Sequence, residues 1–232
     1  MHIPDGYLGP PTYIAGYAIC APLWALAARK IRQSLDARRV PLLAISAAFA
    51  FLVMMFNIPL PGATTGHAVG GVLIAIAVGP WGAFLSISIA LVMQALLFGD
   101  GGITAIGANC INIAFVMPFT GYSAYRMLSK VGRLSRGKGK TIAAGIAGWL
   151  GLNASAFAAA MEFGIQPLLH TGADGRAFYA PYPLSVALPA MMVQHLFVFG
   201  VVEGLVTGLV VHYLQRSRSA WMLLPAGGET AK

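Results

Sequence analysis

Residues 41–58, PLLAISAAFAFLVMMFNI, run for eighteen positions without a charged side chain. A segment this long and this apolar suits the hydrocarbon interior of a bilayer. There the backbone can satisfy its own N–H and C=O groups only as a helix or as part of a closed barrel. Comparable runs lie at 11–29, 81–98, 105–128, 141–163 and 184–214. A shorter one at 67–79 leads into the turn GPWG. None alternates apolar with polar residues, as the strand of a membrane barrel must. Only 9% of residues are charged, against roughly 25% in soluble domains. The sequence therefore predicts an all-α integral membrane protein, a bundle of seven transmembrane helices.

The basic residues orient that bundle. Arg29, Lys30, Arg32, Arg38 and Arg39 fall between the first two runs. Arg126, Lys130, Arg133, Arg136, Lys138 and Lys140 fall between the fifth and sixth, and Arg216, Arg218 and Lys232 follow the seventh. Seven spans with the amino terminus outside place all three groups in the cytoplasm, as the positive-inside rule requires; six or eight spans would strand one of them. Only Arg176 falls outside, along with Asp5, Asp100 and Asp174. The expected location is the inner (cytoplasmic) membrane, multi-pass, with residues 1–215 as one transmembrane domain and 216–232 as a cytoplasmic tail. The net charge of +8 is accounted for by this placement, and a nucleic-acid partner is not expected. Cys20 and Cys110 sit in apolar runs as small hydrophobes.

The chain opens MHIPDGYLGP, with no basic residue ahead of the first apolar run. That is not the pattern of a cleaved signal peptide, and the bulky His2 favours retention of Met1. The expectation is a free Met-His terminus on the outer side. An α-amine has a pKa of about 7.7–8.0 and can yield its proton to a metal near neutral pH. The amine and the His2 amide close a five-membered chelate ring, and the amide and His2 Nδ1 close a six-membered one. Three nitrogens then lie nearly in a plane, an arrangement that suits Ni(II) or Cu(II). A frayed terminus with a chance histidine is the competing reading.

A fourth donor can come from His67 in NIPLPGATTGHAVGG, residues 57–71, on the same side of the membrane. Thr64, Thr65 and Gly66 read as a cap-like approach to a helix that starts at His67. Pro59 and Pro61 suit an irregular segment lining a cavity. A capped interfacial histidine is the alternative. Asn57, Thr65, Asn109 and Asn112 are candidates to bond the far nitrogen of a ligating histidine, with plain interhelical hydrogen bonding equally open for the asparagines. The glycine-rich FGDGGITAIGAN, 98–109, reads as an outer loop packed over the site.

These motifs, MHIPDGYLGP at the start, GHAVGG at 66–71 and LLFGDGGITAIGAN at 96–109, resemble the substrate-binding membrane subunit of energy-coupling-factor (ECF) transporters for cobalt and nickel, the CbiM/NikM family. The resemblance covers residues 1 to about 214. It implies a seven-helix bundle whose first helix delivers the amino terminus to the metal pocket. It also implies four in-plane ligands: the Met1 amine, the His2 amide and imidazole, and the His67 imidazole. By the same resemblance the chain captures Ni(II) or Co(II) as cargo, needs no catalytic cofactor and is not an enzyme. A transmembrane coupling subunit and cytoplasmic ATPases would drive uptake, with a small accessory membrane subunit as a further partner. RGKGKT at 136–141 lacks the glycine that a phosphate-binding loop needs at Leu134, so it is a basic loop. Ala44 and Ala48 form a small-residue face on the second span, suited to a partner helix or to internal packing.

Four further polar residues are less decided. His195 and Glu203 share a face of the last span, where a structural or supporting role is expected. His170 falls in the outer loop 164–183 and reads as solvated, and His212 as interfacial. Two rival functions remain. An intramembrane metalloenzyme would need an H-E-x-x-H pattern or an open coordination position beside a general base, and neither is present. A stand-alone secondary transporter would need internal repeats with broken midplane helices, and no clear repeat is visible. Uptake without a partner ATPase would favour that last reading. The inferred ligands suit nickel and cobalt alike.

Overall fold

The computed structural model describes residues 1–33, 39–60 and 64–217. Arg38, Pro61, Arg218, Lys232 and the tail beyond residue 217 lie outside the described residues. After a non-helical opening segment come α1 (Pro10–Arg32), α2 (Arg39–Met54), a short hairpin, α3 (Gly71–Val78) and α4 (Pro80–Phe98). A continuous rod follows, made of α5 (Ile106–Asn109), a π-helical stretch Cys110–Val116 and α6 (Met117–Leu128). Next are α7 (Lys138–Gly164) and the short α8 (Gln166–Leu169). The last rod is α9 (Leu184–Gln194), a second π-helical stretch His195–Phe199, and α10 (Gly200–Arg216).

The chain is thus a mostly helical membrane protein. Among the described residues, four helical runs are long and apolar enough to cross a bilayer: Pro10–Arg32, Pro80–Phe98, Lys138–Leu169 and Leu184–Arg216. Arg39–Met54 is a shorter apolar helix. Leu52, Ile89, Leu97, Phe197 and Leu209 are each more than half exposed on helix surfaces, a distribution that suits lipid rather than water. Cys20 and Cys110 are buried free thiols.

Helices in lipid gain little from hydrophobic exclusion, so close approach through small residues has to hold them. At the α1–α5 crossing, a Cβ on Gly107 would stand 2.6 Å from the Tyr17 backbone nitrogen. Between α6 and α7, a Cβ on Gly151 would stand 2.7 Å from the Met117 carbonyl. Where α10 lies along α7, one on Gly204 would stand 2.7 Å from the Gly145 carbonyl. In each case the neighbour is backbone and cannot turn aside.

The structure corrects the sequence reading between α2 and α3. The second helix ends at Met54, short of 58, and Ile58–Leu60 pairs antiparallel with Thr64–Gly66, placing Ile58 opposite Gly66 and Pro59 opposite Thr65. His67 therefore does not begin a helix. It follows the hairpin, and α3 starts at Gly71 behind Gly70, which sits in the left-handed region at φ 73°. Thr64 and Thr65 extend the strand where a helix cap was expected, because pairing with Ile58–Leu60 fixes their backbone as extended.

Replacing Gly107 with valine should overpack the α1–α5 crossing and cost about 1–3 kcal/mol. A lower melting temperature of the purified protein in detergent is the expected readout.

Candidate metal centre

Residues 1–9 form no regular structure, yet Met1, His2, Ile3 and Leu8 are buried. A buried segment without secondary structure needs partners for its main chain, and the surrounding elements supply them. Asn109 on α5 accepts the Ile3 N–H through Oδ1 (2.8 Å) and donates Nδ2 to the Ile3 carbonyl (3.0 Å). The Gly102 N–H donates to that same carbonyl at 2.9 Å. The Asp5 carboxylate accepts the backbone N–H groups of Ile103 (3.0 Å) and Thr104 (2.8 Å). The Thr104 hydroxyl and these N–H groups hold the Asp5 carboxyl below the usual range. At the far end Gln166, fully buried, accepts the Gly9 N–H at 2.9 Å, and the Ala180 N–H donates to the Tyr7 carbonyl at 3.1 Å. Loop 99–105 thus closes over residues 2–5. Gly101 (φ 85°) is needed there, since a Cβ would stand 3.2 Å from Asn109 Nδ2 and 3.5 Å from His2 Cβ.

The Met1 amine donates to both oxygens of Thr65, the carbonyl and the hydroxyl, the latter at 2.7 Å. Burial pushes its pKa down to about 5, against the opposing pull of Asp100. At neutral pH it is therefore a neutral amine. Its two N–H bonds are directed at Thr65 and its lone pair is left over.

His2 and His67 lie together, with ring centroids 4.5 Å apart and planes tilted by 54°. The His67 Nδ1 contacts the carbonyl of Ala68 at 3.0 Å. That contact puts the proton on Nδ1 and the lone pair on Nε2, which is buried without a hydrogen-bond partner. The His2 Nδ1 lies 2.9 Å from Oδ1 of Asp100. The contact is close but off the hydrogen-bond line, and neither His2 ring nitrogen has a directed partner. Burial holds the His2 imidazole below its ordinary pKa, with Asp100 pulling the other way. Burial alone would lift the Asp100 carboxyl, yet His2, Met1 and Asn57 together hold it below the carboxylate range. Each unpartnered buried nitrogen costs about 1–3 kcal/mol. Met1, His2, Thr65, Phe163 and Met191 line a cavity of about 10 Å³ here, space of the order of one water or one ion.

Of the residues singled out in the sequence, Met1, His2, Thr65 and His67 converge. Thr65 serves the amine rather than hydrogen-bonding a histidine. Asn109 pins the residue after His2 through its backbone rather than through an imidazole. Asn57 bonds Asp100 through Nδ2 at 3.2 Å, one contact removed from His2. Asn112 takes the interhelical alternative and donates to Glu162 at 2.8 Å. Ala44 and Ala48 are exposed on α2. The expectation that His170 is a solvated loop residue needs correction. It is half-buried over Gly9, whose Cβ would meet its Nε2 at 2.3 Å, and edge-on to Tyr179 at 5.0 Å. His212 lies 3.2 Å from the Thr141 hydroxyl.

Two acidic residues have partners the sequence did not name, Asp100 without an assigned role and Glu203 in the structural role expected of it. Asp100 faces His2 across the chain, and no spacing rule links residues 2 and 100. Glu203, fully buried on α10, accepts the N–H groups of Val69 (2.9 Å) and Gly70 (3.0 Å) through Oε2. It supplies the cap that α3 lacks locally and fixes the loop carrying His67. Its place inside an apolar span was the available signal. Among the described residues, no three His, Cys, Asp or Glu side chains stand together as a metal-binding group. An ion held here would have to draw part of its donor set from the main chain.

Glu203→Gln should loosen the His67 loop by about 1–3 kcal/mol. Hydrogen exchange at the Val69 and Gly70 amides should then be at least about tenfold faster.

Residues 2–221 match the family model of the CbiM cobalt uptake substrate-specific transmembrane region. The chain is 49% identical over 94% of its length to the fused nickel transport protein NikMN of Rhodobacter capsulatus, and spans 62% of that longer protein. It is 48% identical to a relative from Methanocaldococcus jannaschii assigned by name to metal transport, covering 94% of this chain and 93% of the relative. The crystal structure of a transition metal transporter superposes with a TM-score of 0.88 at 52% identity over 93% of each chain. The chain belongs to the CbiM family of cobalt uptake substrate-specific transmembrane regions.

Proposed function

We propose that this chain is the ion-capturing subunit of an ECF-type uptake system for Ni(II) or Co(II). The observation that carries the reading is the pair of buried imidazoles, 4.5 Å apart and rich in unpartnered nitrogens, beside a buried amine whose N–H bonds are both spoken for by Thr65. The ligand set is the Met1 amine, the His2 amide nitrogen, His2 Nδ1 and His67 Nε2. Thr65 aims the amine lone pair, and the Ala68 carbonyl sets the His67 tautomer. The His2 ring swings off Asp100 to complete the six-membered chelate, and the Asp100 charge stays nearby to offset that of the ion. Mg(II) and Ca(II), which prefer oxygen, and Zn(II), which prefers a tetrahedron, fit such a plane poorly. The fused nickel transport relative and the cobalt description of the family support both cargo ions.

In this reading the chain crosses the cytoplasmic membrane seven times, with Met1 outside and the carboxyl-terminal end in the cytoplasm. α3 is the short crossing, and residues 1–215 form one transmembrane domain. The chain does no covalent chemistry. ATP hydrolysis belongs to cytoplasmic partner subunits, and the exposed Ala44–Ala48 face of α2 packs against a transmembrane coupling subunit. A small accessory membrane subunit completes the assembly. The longer fused relative, of which this chain matches 62%, is consistent with a division of labour among parts.

Inserting one alanine after Met1 moves the imidazole out of chelating position and should abolish stoichiometric nickel binding by the purified protein. Full occupancy in that variant would rule out the terminal chelate. His67→Ala should lower nickel content while the helical circular dichroism stays unchanged. At fixed ion concentration, occupancy should hold near neutral pH and fall as pH drops through about 5, where the amine regains its proton. Above that pH the lone pair is free for the ion; below it a proton competes. Metal content after equilibration across that range provides the check.

A further inference from the structure

Glu162 carries a carboxyl near the end of a membrane-length helix, and the metal centre leaves it unused. It stands two residues before α7 ends at Gly164. Its Oε2 accepts the Asn112 Nδ2 at 2.8 Å. Among the described residues no Lys, Arg or His side chain pairs with it, so Oε1 is left for a donor from elsewhere. An ionisable group in a span ordinarily has a partner and a task.

The residue opens onto a cleft of about 400 Å³ between α1, the rod that begins with α5, and α7. The two ends of this cleft are unlike. At the helix termini it is polar, with Thr12 in the first turn of α1 and Glu162 in the last turn of α7. Gln166 joins them there, its Nε2 donating to the Thr12 hydroxyl (3.2 Å) and to the Glu162 carbonyl (2.7 Å). Deeper in the membrane the lining is aliphatic, from Ala15, Ile19 and Ile111. Ile19 is 54% exposed, and α1 is the least covered by protein of the four membrane-length runs. The cleft therefore faces lipid. Spread over the rise of about 10 Å from Thr12 to Ile19, its volume gives a cross-section of about 40 Å², no more than half that of a helix with its side chains. Aliphatic chains fit that section and a transmembrane helix does not.

We propose that this cleft binds a phospholipid with a primary ammonium headgroup, of the ethanolamine type. The ammonium donates to the Glu162 carboxyl beside Thr12, and an acyl chain runs down past Ala15 and Ile19. Such a donor makes a charge-assisted hydrogen bond to a carboxylate. A trimethylammonium headgroup has no N–H and cannot make it. With the amino terminus outside, as proposed above, the lipid belongs to the outer leaflet. The site itself rests on the membrane placement of the chain and not on the ligand set of the metal centre.

The test is native mass spectrometry of the purified, delipidated full chain with phosphatidylethanolamine and phosphatidylcholine of identical acyl chains. The first ethanolamine lipid should bind at least about tenfold more tightly than the choline lipid. Glu162→Gln keeps an acceptor for Asn112 and should bring the two lipids to parity. Ile19→Trp fills the aliphatic end and should weaken the ethanolamine lipid while leaving the carboxyl in place. Should the Glu162 variant fail to fold, wild type with the mono- and dimethylated ethanolamine lipids keeps the test alive, because affinity must fall as each N–H is replaced. Equal binding of the two lipids by wild type makes the cleft ordinary bilayer contact and overturns the proposal. A preference that survives in both Glu162→Gln and Ile19→Trp places the lipid elsewhere and overturns it as well. None of these readouts needs an ion, so failure here leaves the metal centre untouched, and failure of the nickel experiments leaves this site untouched.

Discussion

The burial of the opening segment is the constraint on which the rest of the site depends. Nine residues without secondary structure enter a helical bundle, and their main-chain groups must be bonded there or the segment would return to water. Thr65, Asn109, Gln166 and the backbone of loop 99–105 together meet that demand. These partners come from four separate parts of the chain. Together they hold the Met1-His2 end where the His2 ring meets His67.

A second constraint works from the opposite side. His67 follows a short hairpin and has no helix of its own to position it. Glu203, from the last helix, grips the two N–H groups just after His67. That helix in turn lies against α7 through Gly145 and Gly204, where no Cβ could be added without displacing backbone. The position of one imidazole is thus carried through Glu203 into the close pairing of α7 and α10. Replacing the Glu203 carboxyl or adding bulk at Gly204 would act on the same loop by different routes.

The polar groups in the interior divide into two kinds. Asn109, Asn112 and Gln166 each have hydrogen-bond partners of their own and serve as fasteners. The ring nitrogens of His2 and the Nε2 atoms of His67 and His195 are buried and unpartnered. Leaving three imidazoles in that state is costly in a medium with no competing water. An ion shared by His2 and His67 would offset that cost at the amino-terminal site.

Much of this was legible in the order of residues. Apolar runs separated by basic clusters gave the helices and their approximate bounds, because lipid imposes length and polarity on each segment independently of the others. The Met1-His2 pair was legible as a candidate chelate for a similar reason: chelate rings close over short stretches of covalent chain. His67 was singled out by its GHAVGG motif, and only the fold brings its ring to His2. The hairpin at 58–66 was missed because its pairing overrides the cap-like character of its threonines. Asp100 against His2, Glu203 beneath the His67 loop and His170 over Gly9 were invisible for a different reason. Each joins positions far apart in the chain, and only the packing of helices against one another decides which distant side chain fills a given gap.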